Sequence, residues 1–313
     1  MQSQTNRNLI AASLVVSAMA LFGLIDNFIR LAAQTGGLWQ FHLLRSILAL
    51  ACIWAIAVWR GIALRPKSTG RVLLRSALTS TAMVIYFGCL GFMPIAQVVA
   101  GLFTAPIFVV VFSVLFFGEK VGPRRTIAVA TGFAGVILAI RPEASAFTVW
   151  TILPVLAGAI YALGNIATRR WCEGEGTSTL LGGFFLTMTV WGFLGVSFLA
   201  IHPLPVPEGG DGFITRGWSP LEGFFLVMII VQGFGSVLGV GLTIRAYQLA
   251  EAAFVAVFEN MLLVFATLWA IILWGEWPDA LGFLGLFLIL VAGITIALRS
   301  EAPPVEQAAS VAE

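Results

Sequence analysis

The sequence predicts an all-α polytopic membrane protein: ten transmembrane helices arranged as two inverted-topology five-helix repeats. Three observations carry that prediction. The 313 residues are 59% hydrophobic and 10% charged, with a mean hydropathy of +0.99. Soluble domains run roughly 45–50% apolar and about 25% charged, so this chain has too few charges to coat a water-exposed surface. Second, the apolar residues fall into runs of about 20, the length that crosses about 30 Å of hydrocarbon. Third, a stretch of the first half recurs in the second with its flanking charge reversed. The formal net charge of +2 is too balanced for a polyanion, and no nucleic-acid partner is expected.

In chain order the runs lie at 9–33, 38–59, 72–93, 95–117, 124–141, 148–168, 178–201, 221–247, 251–274 and 280–298. Turn and charge signals separate them: Gly36-Gly37, Pro66-Lys67, Pro94, Gly122-Pro123, Arg141-Pro142, Gly174-Glu175-Gly176 and Pro278-Asp279. No period-two alternation suggests a barrel, and helices are the other structure that satisfies its backbone inside lipid. The first run reads as a retained span and not a cleaved signal, because Asp26 and Arg30 interrupt the approach to Leu31-Ala32-Ala33. Residues 1–8 form the N-terminus and 300–313 a tail expected to be disordered. The Pro/Gly-rich connection at 202–220 gives no signal of folding.

Lys and Arg fix the orientation. Thirteen of the 17 fall on one side; Arg30, Arg141 and Arg216 fall on the other, and Arg45 lies within a span. Both termini are therefore expected in the cytoplasm, as an even number of spans requires. The three cysteines offer no disulfide framework, and no residue cluster suggests a metal or a cofactor.

Residues 103–141 align with 260–299. Phe117-Gly118-Glu119 meets Trp274-Gly275-Glu276, and Ala134-Gly135-Val136 meets Ala292-Gly293-Ile294. Lys120, Arg124 and Arg125 follow the first Gly-Glu; only Pro278 and Asp279 follow the second. Five spans per unit would make the second copy enter the membrane from the opposite face, a construction common in secondary transporters. Leu263 stands opposite Pro106, so the sequence marks a bend only in the first copy.

With these paired motifs the chain resembles the drug/metabolite transporter superfamily, in its two-repeat EamA branch, over residues 9–299. The first EamA-like repeat is 9–141 and the second 148–299. The resemblance implies a multi-pass carrier of the bacterial inner membrane whose cavity is lined by spans 1, 3, 4, 6, 8 and 9. It implies no particular solute. Asp26-Asn27-Phe28-Ile29-Arg30 and Phe41-His42-Leu43-Leu44-Arg45 also resemble the branch that includes bacterial riboflavin carriers.

Ionisable side chains inside a bilayer are costly and face protein, water or a partner. Asp26 and Arg45 each sit about seven residues, or roughly 10 Å, from the outer ends of spans 1 and 2. They can meet as a register-fixing ion pair or exchange partners with a charged solute. Asp26 with Arg30, and His42 with Arg45, share helix faces. Glu259 has no cation at matching depth, which suits proton coupling or a cationic solute; the alternative is a neutral acid bonded to the next helix. Tyr86, Gln97, Thr104, Tyr161, Asn165, Gln232 and Asn260 supply uncharged hydrogen-bonding groups that serve either solute or helix contacts. Glu119 and Glu276 read as end caps ahead of the following helices. Trp39, Trp59, Trp150, Trp274 and Trp277 read as an interfacial belt.

No H-E-x-x-H, G-x-S-x-G or G-x-x-x-x-G-K-[ST] motif appears, so an intramembrane enzyme and an ATP-driven pump are disfavoured, and no filter motif suggests a channel. The expected function is secondary transport of a small organic solute, an amino acid or related metabolite, cationic or aromatic; riboflavin-like vitamin uptake is the alternative. The expected partners are that solute and membrane lipid. Monomer and homodimer stay open.

Overall fold

The computed structural model describes residues 4–89, 95–118, 121–140 and 149–299. The tail at 300–313 and Glu119 lie outside these residues, as does the side chain of Gln97. Among the described residues the chain is helical, with no strand. The helices are α1 (Gln4–Asp26), α2 (Ile29–Ala32), α3 (Leu38–Arg60), α4 (Thr69–Cys89), α5 (Ile95–Leu102), α6 (Ala105–Phe117) and α7 (Pro123–Ile140). The second half continues with α8 (Ile152–Arg170), α9 (Thr177–Ile201), α10 (Gly223–Leu249), α11 (Ala252–Glu259), α12 (Met261–Trp274) and α13 (Ala280–Arg299).

Eight helical stretches are long and apolar enough to span a bilayer, counting α1–α2, α5–α6 and α11–α12 as broken single stretches. Among the described residues, the apolar parts of α7 and α13, Thr126–Ile140 and Ala280–Thr295, are shorter than that length. Eight of the ten expected spans therefore qualify by length and composition.

The breaks have local causes. At Thr104, the following Pro106 has no N–H to return to Leu102, and the Thr104 hydroxyl bonds the Gly101 carbonyl at 2.6 Å instead. The surface of α8 closes on this break: a Cβ at Gly158 would stand 2.7 Å from the Thr104 hydroxyl and 2.9 Å from the Gly101 carbonyl oxygen. The second half breaks at Asn260 without a proline, so the bend marked in only one copy of the sequence occurs in both. In the first helix, Asn27 ends α1 by turning its amide to the carbonyls of Gly23 (2.6 Å) and Ala266 (3.1 Å).

Packing follows a regular scheme. The pairs with the most extensive contact are α7 with α13, α3 with α9, α1 with α10, and α4 with α8. Exchanging the first-half helix at each place with its second-half counterpart leaves this set of pairs unchanged. Gly135 and Gly285 bring α7 and α13 together, since a Cβ on either would meet the other's carbonyl at 2.6 and 2.5 Å. Gly192 lets α9 lie on the Leu43 backbone. The glycines of α10 (Gly233, Gly235, Gly239) admit the side chains of Leu48, Ile25 and Phe22, not a second backbone.

The connection at 202–220 is folded, against expectation. Phe213 is buried beside Phe41, and Arg216 donates to the carbonyls of Ala33, Gly36 and Gly209. Gln40 pairs both ways with the Ser219 backbone at 2.8 Å. At the other end of the bundle, the Glu175 carboxylate accepts from the backbone N–H groups of Lys67 and Ser68 just ahead of α4. Three of the five expected belt tryptophans, Trp59, Trp150 and Trp277, face outward, whereas Trp39 packs under Gly195 and Trp274 under Arg30.

Candidate functional site: a polar cavity within the helix bundle

Between the halves lies a partly open cavity of about 440 Å³, walled by α1, α2, α3, α4, α5, α6, α8, α9, α10, α11 and α12. Most of its surface is apolar and aromatic, with polar groups gathered at two places. This matches the ordinary make-up of small-molecule sites.

The first polar group stands where α1 breaks. Asp26 is the last residue of α1 and is exposed to the cavity. Its Oδ1 accepts from Gln232 Nε2 at 2.9 Å. Gln232 Oε1 lies 3.5 Å from the Ser236 hydroxyl, one turn along α10. Ser236 in turn accepts from Arg45 at 2.9 Å, whose Nε donates to His42 Nδ1 at 3.0 Å. Asp26 and Arg45 thus share one site without touching; Ser236 and Gln232 stand between them. Tyr86 lines the same region.

The second group surrounds the break between α11 and α12. Glu259 accepts one phenol on each carboxylate oxygen, Tyr161 at 2.9 Å and Tyr247 at 2.8 Å. Asn165 donates to the Tyr247 oxygen at 3.1 Å, which leaves that hydroxyl proton for Glu259. Glu259 thus has neutral partners from neighbouring helices, one of the two arrangements open to it in the sequence. Arg75 lines the cavity close by, 3% exposed, donating to the Thr168 hydroxyl at 2.7 Å and to the Leu180 carbonyl.

Of the predicted residues, Asp26, Arg45, Tyr86, Tyr161, Gln232 and Glu259 converge on the cavity. His42 does not line it: the ring is buried against Phe87 at 4.6 Å between centroids and serves as the acceptor that orients Arg45. Asn260, 1% exposed, turns toward Gly132 of α7, and its amide has no hydrogen-bond partner among the described residues. Arg30 does not share a face with Asp26, because the break at Asn27 and Phe28 separates them. It pairs instead with Glu276 at 2.8 Å and lies over the Trp274 ring at 4.4 Å. Glu276 therefore holds α2, and the helix-start bond of α13 comes from Asp279, which accepts the Gly282 N–H.

Asn165, one of the uncharged groups the sequence offers on span 6, also lines the cavity; Arg75, Ser236 and Tyr247 complete it and stand outside the predicted site. Arg75 reads in the sequence as one of the basic residues flanking a span, whereas α4 begins at Thr69 and carries it inside. Its available signal was its place three residues inside the apolar run at 72–93. Among the described residues no group of His, Cys, Asp or Glu is placed to hold a metal ion.

A helical, multi-pass membrane protein with a sparsely polar internal cavity is the architecture of a solute transporter. Residues 9–141, less than half of the chain, match the family described as EamA-like transporters, and over that stretch the chain is similar to it. A riboflavin transporter of Brucella anthropi is 28% identical over 81% of this chain and 86% of its own. The pseudopaline exporter CntI of Pseudomonas aeruginosa is 25% identical over 90% of this chain and 94% of its own. A solved crystal structure shares the fold with a TM-score of 0.71, covering 95% of this chain and 99% of that one at 17% identity.

Proposed function

We propose that the chain is a secondary carrier that moves a small organic solute, an amino acid or related metabolite, across a bacterial inner membrane by alternating access. In this reading α7 and α13 complete ten spans, both termini are cytoplasmic, and the halves are inverted repeats. The observation that carries it is the register of the cavity wall. On α4, Arg75, Thr79, Met83, Tyr86 and Phe87 line the cavity; on α10, Gln232, Ser236, Val240, Thr243 and Ile244 do. Each residue of the first set has its counterpart 157 positions on (75 to 232, 79 to 236, 83 to 240, 86 to 243, 87 to 244). The same step relates Leu102 to Glu259, Ala105 to Leu262 and Pro106 to Leu263. Phe22 with Tyr161, Asp26 with Asn165, and Arg45 with Phe184 repeat at a step of 139 (22 to 161, 26 to 165, 45 to 184). Equivalent helices thus present equivalent positions to one cavity, as expected if rocking the halves exposes it to either side.

Asp26, Gln232 and Tyr86 are the proposed solute contacts. Glu259 is the proposed proton-coupling group, because it is a buried carboxyl on the cavity wall with two hydroxyls to stabilise either protonation state. A second reading, uptake of a riboflavin-like vitamin, is favoured by the riboflavin transporter among the relatives. Reconstituted protein should show saturable, ATP-independent counterflow of labelled solute. Flux that never saturates, or that requires ATP, would contradict the carrier reading.

A further inference from the structure

The cavity's charges differ in what they offer a solute. Arg45 is 8% exposed, Arg75 3% and Glu259 7%. Arg45 is turned toward His42 and Ser236, Arg75 toward Thr168 and the Leu180 carbonyl, and Glu259 toward two phenols. Asp26 is exposed, with only Oδ1 engaged by Gln232; among the described residues Oδ2 accepts nothing. Phe22, one turn earlier on the same face of α1, lines the cavity with Tyr86 and Phe87. The position equivalent to Asp26 in the second half is Asn165, which is neutral and committed to Tyr247. The accessible charge therefore sits on one side only.

We infer that Asp26 is the counter-charge for a cationic nitrogen, a primary or alkylated ammonium carried on a flat apolar body that packs against the aromatic wall. A carboxylate in a cavity partly shielded from water attracts a cation far more strongly than at an open surface, and ring faces reinforce that preference. The Arg45–Ser236–Gln232 ladder fixes the carboxylate so that its free oxygen faces the solute. This inference rests on the carrier reading above and narrows it to solutes bound in one orientation, ammonium toward Asp26.

A matched pair of probes tests it: tryptamine and indole-3-propionate, which share a ring and carry opposite charge. Binding to the purified full-length protein is read as the rise in Tm, since a ligand of the native state stabilises it. Tryptamine should raise Tm and indole-3-propionate should not. Asp26→Asn keeps the shape and the acceptor for Gln232, and should weaken tryptamine at least about tenfold. The wild-type preference is informative even if the variant does not fold. No preference between the two probes, whether both bind or neither does, overturns the inference, as does tryptamine binding that Asp26→Asn leaves unchanged. Counterflow separates the two readings. Saturable riboflavin counterflow without cation preference leaves the carrier standing and ends this inference. Asp26-dependent tryptamine binding with no counterflow of tryptamine or riboflavin does the reverse.

Discussion

Glu259 shows how much a single side chain is asked to do in a low-dielectric interior. Its two oxygens accept from Tyr161 and Tyr247, and the Tyr247 oxygen already accepts from Asn165. Glu259→Gln replaces one of the two acceptor oxygens with an N–H donor, so one phenol loses its acceptor and about 1–3 kcal/mol of stability should be lost, read as a lower Tm. If Glu259 carries the coupled proton, the same variant should transport with a flattened pH profile. Transport that keeps the wild-type pH dependence would remove Glu259 from that role. Asp26 and Arg45 meet only through Ser236 and Gln232. The double exchange Asp26→Arg with Arg45→Asp is therefore expected not to restore transport, and recovery would indicate a simple structural ion pair. These two acids and Arg45 were legible in the sequence because an ionisable group inside an apolar run is too costly to bury without a partner or a cavity to face. The same cost argument placed His42 at the cavity, and the hydrogen-bonding amide beside Glu259 placed Asn260 there; neither lines it. A helix solvated by lipid is apolar on all sides, so its sequence does not say which face a lone polar group occupies. Arg75 went unrecognised because a basic residue near a span end looks like an ordinary inner-face anchor.

At the scale of elements, contacts between helices depend on missing side chains and on loop groups that grip helix ends. A Cβ at Gly192 would lie 2.6 Å from the Leu43 backbone N and 2.8 Å from its Cα. Gly192→Ala must push α9 from α3, and a loss of roughly 1–3 kcal/mol is expected from overpacking, again read as Tm. By contrast, Gly241→Ala meets Leu181 at 3.5 Å, ordinary contact, and should be nearly silent. Glu175→Ala removes the acceptor of two backbone N–H groups ahead of α4 and should cost about 1–3 kcal/mol. The helices themselves were readable from apolar length, and most of their ends from glycine, proline and charge. The folded connection at 202–220 was not, because its order comes from Arg216 reaching carbonyls at residues 33 and 36, far away in the chain. The bend at Asn260 was also hidden, because the sequence shows no proline there.

Taken whole, the molecule is two halves that contribute equivalent positions to one cavity yet fill those positions with different chemistry. Arg75 answers Gln232, Asp26 answers Asn165, and Leu102 answers Glu259. In the proposed reading duplication supplies a common architecture, and the divergence of its lining leaves polar groups where a solute can be bound asymmetrically. In the proposed mechanism the two copies cross the membrane in opposite directions, and this is the proposition on which that mechanism stands. Val121 and Pro278 are equivalent positions at the step of 157 (121 to 278), each just past a Gly-Glu pair. With Cys52, Cys89 and Cys172 replaced by serine, single cysteines at these two positions can be labelled in intact cells with a membrane-impermeant maleimide. Reaction of Pro278→Cys from outside, with Val121→Cys reacting only after the membrane is opened, is the predicted result; labelling of both from the same face would contradict the inverted arrangement.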